Sequence, residues 1–295
     1  LLRIDSIQLD PDGVPALASG APDIATPLPP EPPPGWVTLL NIYRPYHETS
    51  LKEEDLFPVL ETAAMAKTGT TRGRIPRTLA RLQAGKPVKV VCWGDSVTAG
   101  GNASTPDMAY VRQFERRLRQ KFPNAPVEVV NISYGGSCSA QWLRFEPFAD
   151  FAKGATAALA NDVDFSRVEA ARPDLLTIEF VNDAGLRKEH LERVYAEVLR
   201  RMQALSCEII LITPHFTSLP MMGIDSVRSP ESRPYVRFLF DFSEAHGLAV
   251  ADASARWAHL WKEGLPYLTL LDNTINHPDD RGHALFADEL VRCFE

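Results

Sequence analysis

From Lys86 onward the chain alternates short, β-branched apolar runs with segments of helical spacing, and this rhythm restricts the fold more than any other feature. Pro87-Val88-Lys89-Val90-Val91-Cys92-Trp93 is the first such run, and residues 127–132, 175–181, 208–213 and 248–252 repeat the type. Between them, Val111, Phe114 and Leu118 mark one helical stripe. Leu191, Val194, Tyr195, Val198, Leu199 and Met202 mark a stronger one. Buried strands separated by amphipathic helices predict an α/β chain with a mostly parallel sheet covered on both faces. In such sheets ligands bind outside the carboxyl ends of the strands. Functional residues are therefore to be sought there.

Residues 1–85 read differently. Nine of the 24 prolines fall in the first 35 residues, ending in Pro29-Pro30-Glu31-Pro32-Pro33-Pro34. Proline fixes φ and removes an N–H, so this stretch favours extended polyproline geometry. It is expected to be a linker or a strap packed on the body, with the main domain at 86–295. Within it, residues 36–40 suit a strand and residues 54–66 a helix. The Leu1 start, without an initiator Met, suggests a processed or trimmed terminus, with a further domain ahead of it.

Composition excludes several functions. A formal net charge of −7 gives no basic face for nucleic acid. No run approaches the roughly 18 apolar residues a membrane span needs, so a soluble globular chain is expected, with neither nucleic acid nor membrane as partner. Cys92, Cys138, Cys207 and Cys293 are widely spaced and read as unpaired thiols. No cofactor is implied, because Walker, dinucleotide-binding and zinc-ligand patterns are missing.

Four segments at or after the strand ends carry possible chemistry. Gly94-Asp95-Ser96 places a serine in a tight turn before a helix start, although the same tripeptide can simply cap a helix. Asn131-Ile132-Ser133-Tyr134-Gly135-Gly136 offers paired glycines that let backbone N–H groups approach a ligand, or else form an ordinary turn. Asn182-Asp183 offers a side-chain amide suited to an oxyanion, or an Asx turn. His277-Pro278 precedes a terminal helical segment and supplies the side chain best suited to take a proton near neutral pH. A metal held by His277 and His283 with Asp279 or Asp280 is the weaker reading, since their spacing does not put both imidazoles on one helix face.

In this order the four segments resemble the blocks of the SGNH, or GDSL, hydrolases. The resemblance covers residues 86–295. It implies a three-layer α/β/α fold with a mostly parallel, flavodoxin-like five-stranded sheet. It further implies Ser96 as nucleophile and His277 as general base, with the Ser96 N–H, the Gly136 N–H and the Asn182 amide as oxyanion hole. The sequence departs from the family pattern twice. Phe180 stands where the third block has glycine, and Thr274 stands three residues before the histidine, where the family has its orienting aspartate. Asp272, five residues before His277, is the nearest upstream carboxylate; the alternative is a Ser–His dyad oriented by a backbone carbonyl.

Trp142, Arg144, His215, Phe216, Arg228, Glu231 and Arg233 are expected in loops. Of these, Trp142, Arg144, His215 and Arg233 are the candidate substrate-binding residues. Aromatic and cationic loops suit a saccharide ester better than a long acyl chain, so the resemblance points to an acetylesterase, secreted or periplasmic if its substrate is a polysaccharide. A lipase or lysophospholipase-like enzyme and a non-catalytic saccharide-binding module are the rivals.

Overall fold

The N-terminal prolines hide a sheet. In this computed structural model, which describes residues 1–145, 162–228 and 232–295, β1 (Arg3–Leu9), β2 (Pro15–Ala18), β3 (Val37–Arg44) and β4 (Leu56–Pro58) form an antiparallel sheet in the order β2-β1-β3-β4. The proline run lies between β2 and β3, where no ladder hydrogen bond is required of it, and Gln8 donates to the Pro30 carbonyl at 3.0 Å. The strand expected at 36–40 is found as β3. The helix expected at 54–66 is not: single turns at Glu53–Asp55 and Ala63–Met65 flank β4 instead. Pro58 explains this, since proline in a helix interior costs about 3 kcal/mol but is tolerated on an edge strand such as β4.

Buried polar groups join this sheet to the body. Ser6 donates to Asn41 at 2.6 Å, and the Asn41 amide donates to the Gly264 carbonyl at 2.7 Å. Beyond it the chain already lies on the larger domain before residue 85. Gly69 N–H donates to Asp252, Thr71 N–H to the Val250 carbonyl, and α1 (Pro76–Gln83) follows.

The body is the expected SGNH-type α/β/α fold. Strands β5 (Val88–Gly94), β6 (Val127–Ser133), β7 (Leu175–Glu179), β8 (Glu208–Ile212) and β9 (Ala249–Ala251) pair in parallel in the order β6-β5-β7-β8-β9. Alternate residues serve opposite faces, as the two-residue period of a strand demands. Val91, Trp93, Leu176, Ile178, Ile209 and Leu211 join one core with Leu191–Met202 and Tyr235–Phe242. Val90, Cys92, Leu175, Ile210 and Ile212 join the other, with Val111, Phe114, Leu118, Phe286 and Leu290. The helical stripes read from the sequence correspond to α2 (Tyr110–Lys121) and α3 (Lys188–Ala204). All four cysteines are free and buried, and burial pushes the Cys92 thiol up to about 12. Among the described residues no helix is long and apolar enough to cross a membrane.

β5 lies between β6 and β7, so consecutive connections leave it to opposite sides and open a crevice at its carboxyl end. The register aligns Gly94 with Ser133 and with Glu179. Three of the four segments singled out above therefore meet at one point.

Candidate active site

Ser96 sits in the turn that leaves β5. One Asp95 carboxylate oxygen accepts the Val97 N–H at 3.0 Å, and the other accepts the Asn182 N–H at 3.1 Å, tying the serine turn to the end of β7. The histidine comes from a compact loop built on Asn273. Its side-chain oxygen accepts the N–H groups of Ile275, Asn276 and His277, while Asp272 N–H donates to the His277 carbonyl. This loop holds His277 Nε2 2.9 Å from Ser96 Oγ. His277 is half-buried, and burial lowers its pKa below the ordinary imidazole value. The neutral ring is therefore the dominant form at pH 7, as a base requires.

The approach of the loop after Ser96 to this ring requires a residue without a side chain. A Cβ at Gly101 would stand 2.9 Å from the Ser96 carbonyl oxygen and 3.4 Å from two His277 ring atoms. Gly101→Ala is expected to displace the imidazole and lower kcat/KM on the order of 10²-fold, with some loss of melting temperature because the nearer contact is to the Ser96 backbone carbonyl. Unchanged kinetics would show that the ring accommodates the methyl group.

The Asp272 carboxylate makes no hydrogen bond to the His277 ring. Between them stands Asn102, on the loop after Ser96. His277 Nδ1 lies 2.6 Å from Asn102 Oδ1, and Asn102 Nδ2 donates to Asp272 Oδ2 at 2.6 Å. Neither arrangement expected from the sequence, a direct Asp272–His277 pair or a backbone carbonyl as orienting group, is the one found. The physical reason is the hairpin of the histidine loop, which pairs the two residues through their backbones and leaves room for an amide between the side chains. Asn102 was missed by sequence reasoning. Its signal is an Asn directly after Gly100-Gly101, in the left-handed region at φ +63°, which Asn tolerates better than most residues.

On the other side of Ser96, Gly136 adopts φ +77°, and an ideal Cβ on Gly135 would lie 3.7 Å from the Ser96 Cβ. Among the described residues, neither the Ser96 N–H nor the Gly136 N–H has a protein acceptor. The Asn182 amide is already engaged, donating to Asp95 Oδ2 at 3.0 Å and to the Ser137 carbonyl at 3.1 Å. Phe180 does not narrow the crevice. Its ring is buried, edge-on to Trp93 with centroids 4.7 Å apart.

A serine, a base within hydrogen-bond reach and unclaimed N–H groups beside them fit acyl transfer. Residues 92–285 match the sequence model of the GDSL-like Lipase/Acylhydrolase family. The chain belongs to that family. No curated protein matches it in sequence. Among solved structures it is similar to a two-domain esterase (CEX) active on acetylated mannans, with 17% identity and a TM-score of 0.56 over 77% of this chain and 53% of that one. The same esterase co-crystallised with mannopentaose gives 18% identity and a TM-score of 0.53, over 76% of this chain and 54% of that one. LAE5, an α/β hydrolase enzyme from the metagenome of Lake Arreo, Spain, gives 19% identity and a TM-score of 0.50, over 70% of this chain and 94% of that one. The chain thus spans about half the length of the two-domain esterase.

In this member of the GDSL-like family most residues expected to touch substrate have structural partners. Trp142 is buried in a short helix (Ser139–Trp142), edge-on to Trp93, and its indole donates to Ser137 Oγ at 2.9 Å. His215 is fully buried with its Nε2 2.7 Å from the Asn276 carbonyl, so it holds the residue next to His277. Burial lowers its pKa to about 3, so it is neutral at working pH and Nε2–H is the donor. Arg233 is also buried. It donates to the His215 and Pro214 carbonyls and to Ser254 Oγ, and stacks on Phe216. Arg144 pairs with Asp164 at 2.8 Å, and Arg228 covers the rings of Phe57 and Trp261. Glu231 lies outside the described residues. Their place in the chain did not separate an open loop from a buried turn. Both ring nitrogens of His283 are used within the protein: Nδ1 accepts the Tyr110 N–H, and Nε2 lies 3.1 Å from the Gly101 carbonyl.

A small cavity of about 100 Å³ opens beside Asn182, and two of the candidate substrate-binding residues, His215 and Arg233, line it with Val181, Thr217 and Tyr235.

Proposed function

We propose that this protein is a serine esterase that removes short acyl groups, O-acetyl groups on a saccharide foremost, through an acyl-enzyme on Ser96. The observation that carries the reading is the 2.9 Å contact of Ser96 Oγ with His277 Nε2, set beside two backbone N–H groups with no other acceptor among the described residues. A binding site would have no need of that combination.

The steps follow from these atoms. The Ser96 hydroxyl proton passes to His277 Nε2 as Oγ bonds to the ester carbonyl carbon, and the carbonyl π pair moves onto oxygen. The resulting oxyanion is met by the Ser96 and Gly136 N–H groups, with the Asn182 amide as third donor. Collapse of the tetrahedral intermediate breaks the bond to the alcohol oxygen, which takes the proton back from His277. Water then attacks the acyl-enzyme by the same route, losing its proton to His277. Ser96 leaves with that proton, and the carboxylic acid departs.

The cavity beside Asn182, the candidate third oxyanion donor, supports a short acyl group, although Ser96 does not line it. At about 100 Å³ it is well below the roughly 300–1,000 Å³ of sites that enclose drug-sized ligands. The saccharide is supported by fold likeness to an esterase described as active on acetylated mannans, which makes acetylated polysaccharides the first natural substrates to screen.

A p-nitrophenyl ester series from acetate to laurate tests the acyl preference. kcat/KM is expected to peak at acetate and to fall by at least about 10-fold by hexanoate, since each added methylene that a pocket cannot hold costs about 1–3 kcal/mol. A maximum at laurate would move the protein to the lipase reading. Folded protein that turns over no ester would favour a binding module.

A further inference from the structure

We infer that Asn102 is the positioning residue of His277, and that Asp272 acts on the imidazole only through the Asn102 amide. This deepens the serine-esterase reading and rests on it. The reacting side chains form a chain of four: Ser96, His277, Asn102 and Asp272, with successive contacts of 2.9, 2.6 and 2.6 Å.

The polarity of that chain is determined at its far end. An ionised carboxylate only accepts hydrogen bonds, so Asn102 must turn its NH₂ toward Asp272 and its carbonyl oxygen toward His277. A carbonyl oxygen accepts, so His277 Nδ1 must carry the proton. Nε2 then has its lone pair facing the Ser96 hydroxyl, which is the tautomer needed to take the serine proton. One carboxylate two contacts away thus selects the productive tautomer.

The backbone keeps Asn102 in this place. Its φ of +63° is left-handed. Two residues on, the N–H and hydroxyl of Ser104 donate to the Asp280 carboxylate at 2.9 and 2.6 Å. Just before it, the Gly101 carbonyl accepts from His283. The loop is pinned on both sides of the amide.

A neutral amide differs from a carboxylate in one measurable way. A carboxylate against the ring would stabilise the imidazolium by direct charge and raise the histidine pKa. An amide oxygen offers only a dipole, and burial lowers the His277 pKa. The other titratable groups around the ring leave this unchanged. His215 and His283 are buried and neutral, with pKa values lowered to about 3 and about 4. Asp279 pairs with Arg281, and Asp280 is taken up by Ser104. Activity requires neutral His277, so it falls as pH drops through this pKa, and the acid limb of the wild type lies below the ordinary imidazole range.

Two variants test the relay, each assayed on p-nitrophenyl acetate beside the wild type and Ser96→Ala. Asn102→Gly removes the amide while suiting the positive φ, and is expected to lower kcat/KM on the order of 10²-fold. The double variant Asn102→Asp with Asp272→Asn exchanges carboxylate and amide at constant charge, putting a carboxylate directly on His277 Nδ1 with the new amide behind it. It is expected to keep kcat/KM at pH 8 within about 10-fold of wild type and to move the acid limb up by about one pH unit. The movement reports the contact at Nδ1, and the kcat/KM retained by the exchanged pair beside the loss in Asn102→Gly is what a merely structural Asn102 would not give. If Asn102→Gly stays within threefold of wild type, or the exchanged pair leaves the acid limb unmoved, the relay is overturned. Undiminished activity in Ser96→Ala would instead sink the esterase reading itself.

Discussion

Ser96→Ala is expected to lower kcat on p-nitrophenyl acetate on the order of 10⁶-fold, the scale seen when a serine nucleophile is removed from a hydrolase that works as a unit. The size follows from the absence of a replacement. Thr98, the nearest hydroxyl along the chain, is buried and donates to Glu179 at 2.9 Å, with the Tyr110 hydroxyl at 2.8 Å. Water activated by His277 remains, and with intact oxyanion donors it leaves a trace rate above the uncatalysed one. Stability is a clean control. Among the described residues the Ser96 hydroxyl bonds only to His277, so its loss should change unfolding free energy by no more than about 0.5 kcal/mol. A burst of p-nitrophenol from the wild type, stoichiometric with enzyme and missing in the variant, would show the acyl-enzyme directly. Ester turnover that survives in folded Ser96→Ala would place the nucleophile elsewhere.

The order of elements in the body could be read in advance because its signal is strong and local. Val90-Val91-Cys92-Trp93 is apolar on both faces and β-branched, as only a strand covered on both sides would be. The rule for sheets of this kind then directed attention to the strand ends, and Ser96 and His277, far apart in sequence, meet there. What escaped lies where local sequence and spatial neighbour part company. Arg3–Leu9 is a strand whose apolar residues, Ile4, Ile7 and Leu9, keep no two-residue period, while the polar Asp5, Ser6 and Gln8 are buried. Trp142 and Phe180 follow strands in sequence like binding residues, yet both pack on Trp93. Asn102 was invisible because its meaning depends on Asp272, 170 residues away. A carboxylate five residues before the histidine looked like a direct partner. The backbone pairing of Asp272 with His277 changes what its side chain can reach.

Asn182→Ala is expected to reduce kcat by about 10²–10³-fold with KM little changed, the signature of a donor whose bond forms in the transition state. The resting geometry makes this a demanding prediction, because both amide hydrogens have acceptors, Asp95 Oδ2 and the Ser137 carbonyl. One of these bonds is expendable. The contact with Ser137 joins two neutral groups at 3.1 Å, whereas a hydrogen bond to an oxyanion is charge-assisted and roughly twice as strong. As negative charge develops on the substrate oxygen, the amide gains by turning one N–H from the Ser137 carbonyl to that oxygen while the other stays on Asp95. The anchor on Asp95 then aims the amide, and the difference between carbonyl and oxyanion supplies selectivity for the transition state. Removing the amide also takes one donor from a buried carboxylate, which keeps the N–H groups of Val97 and Asn182. A loss of about 1–3 kcal/mol in stability is therefore expected beside the kinetic effect, and rates must be compared well below both melting temperatures. If kcat falls by less than about threefold, the oxyanion is held by the Ser96 and Gly136 N–H groups alone, and the Asn182 amide serves only to tie Asp95 to the neighbouring loop.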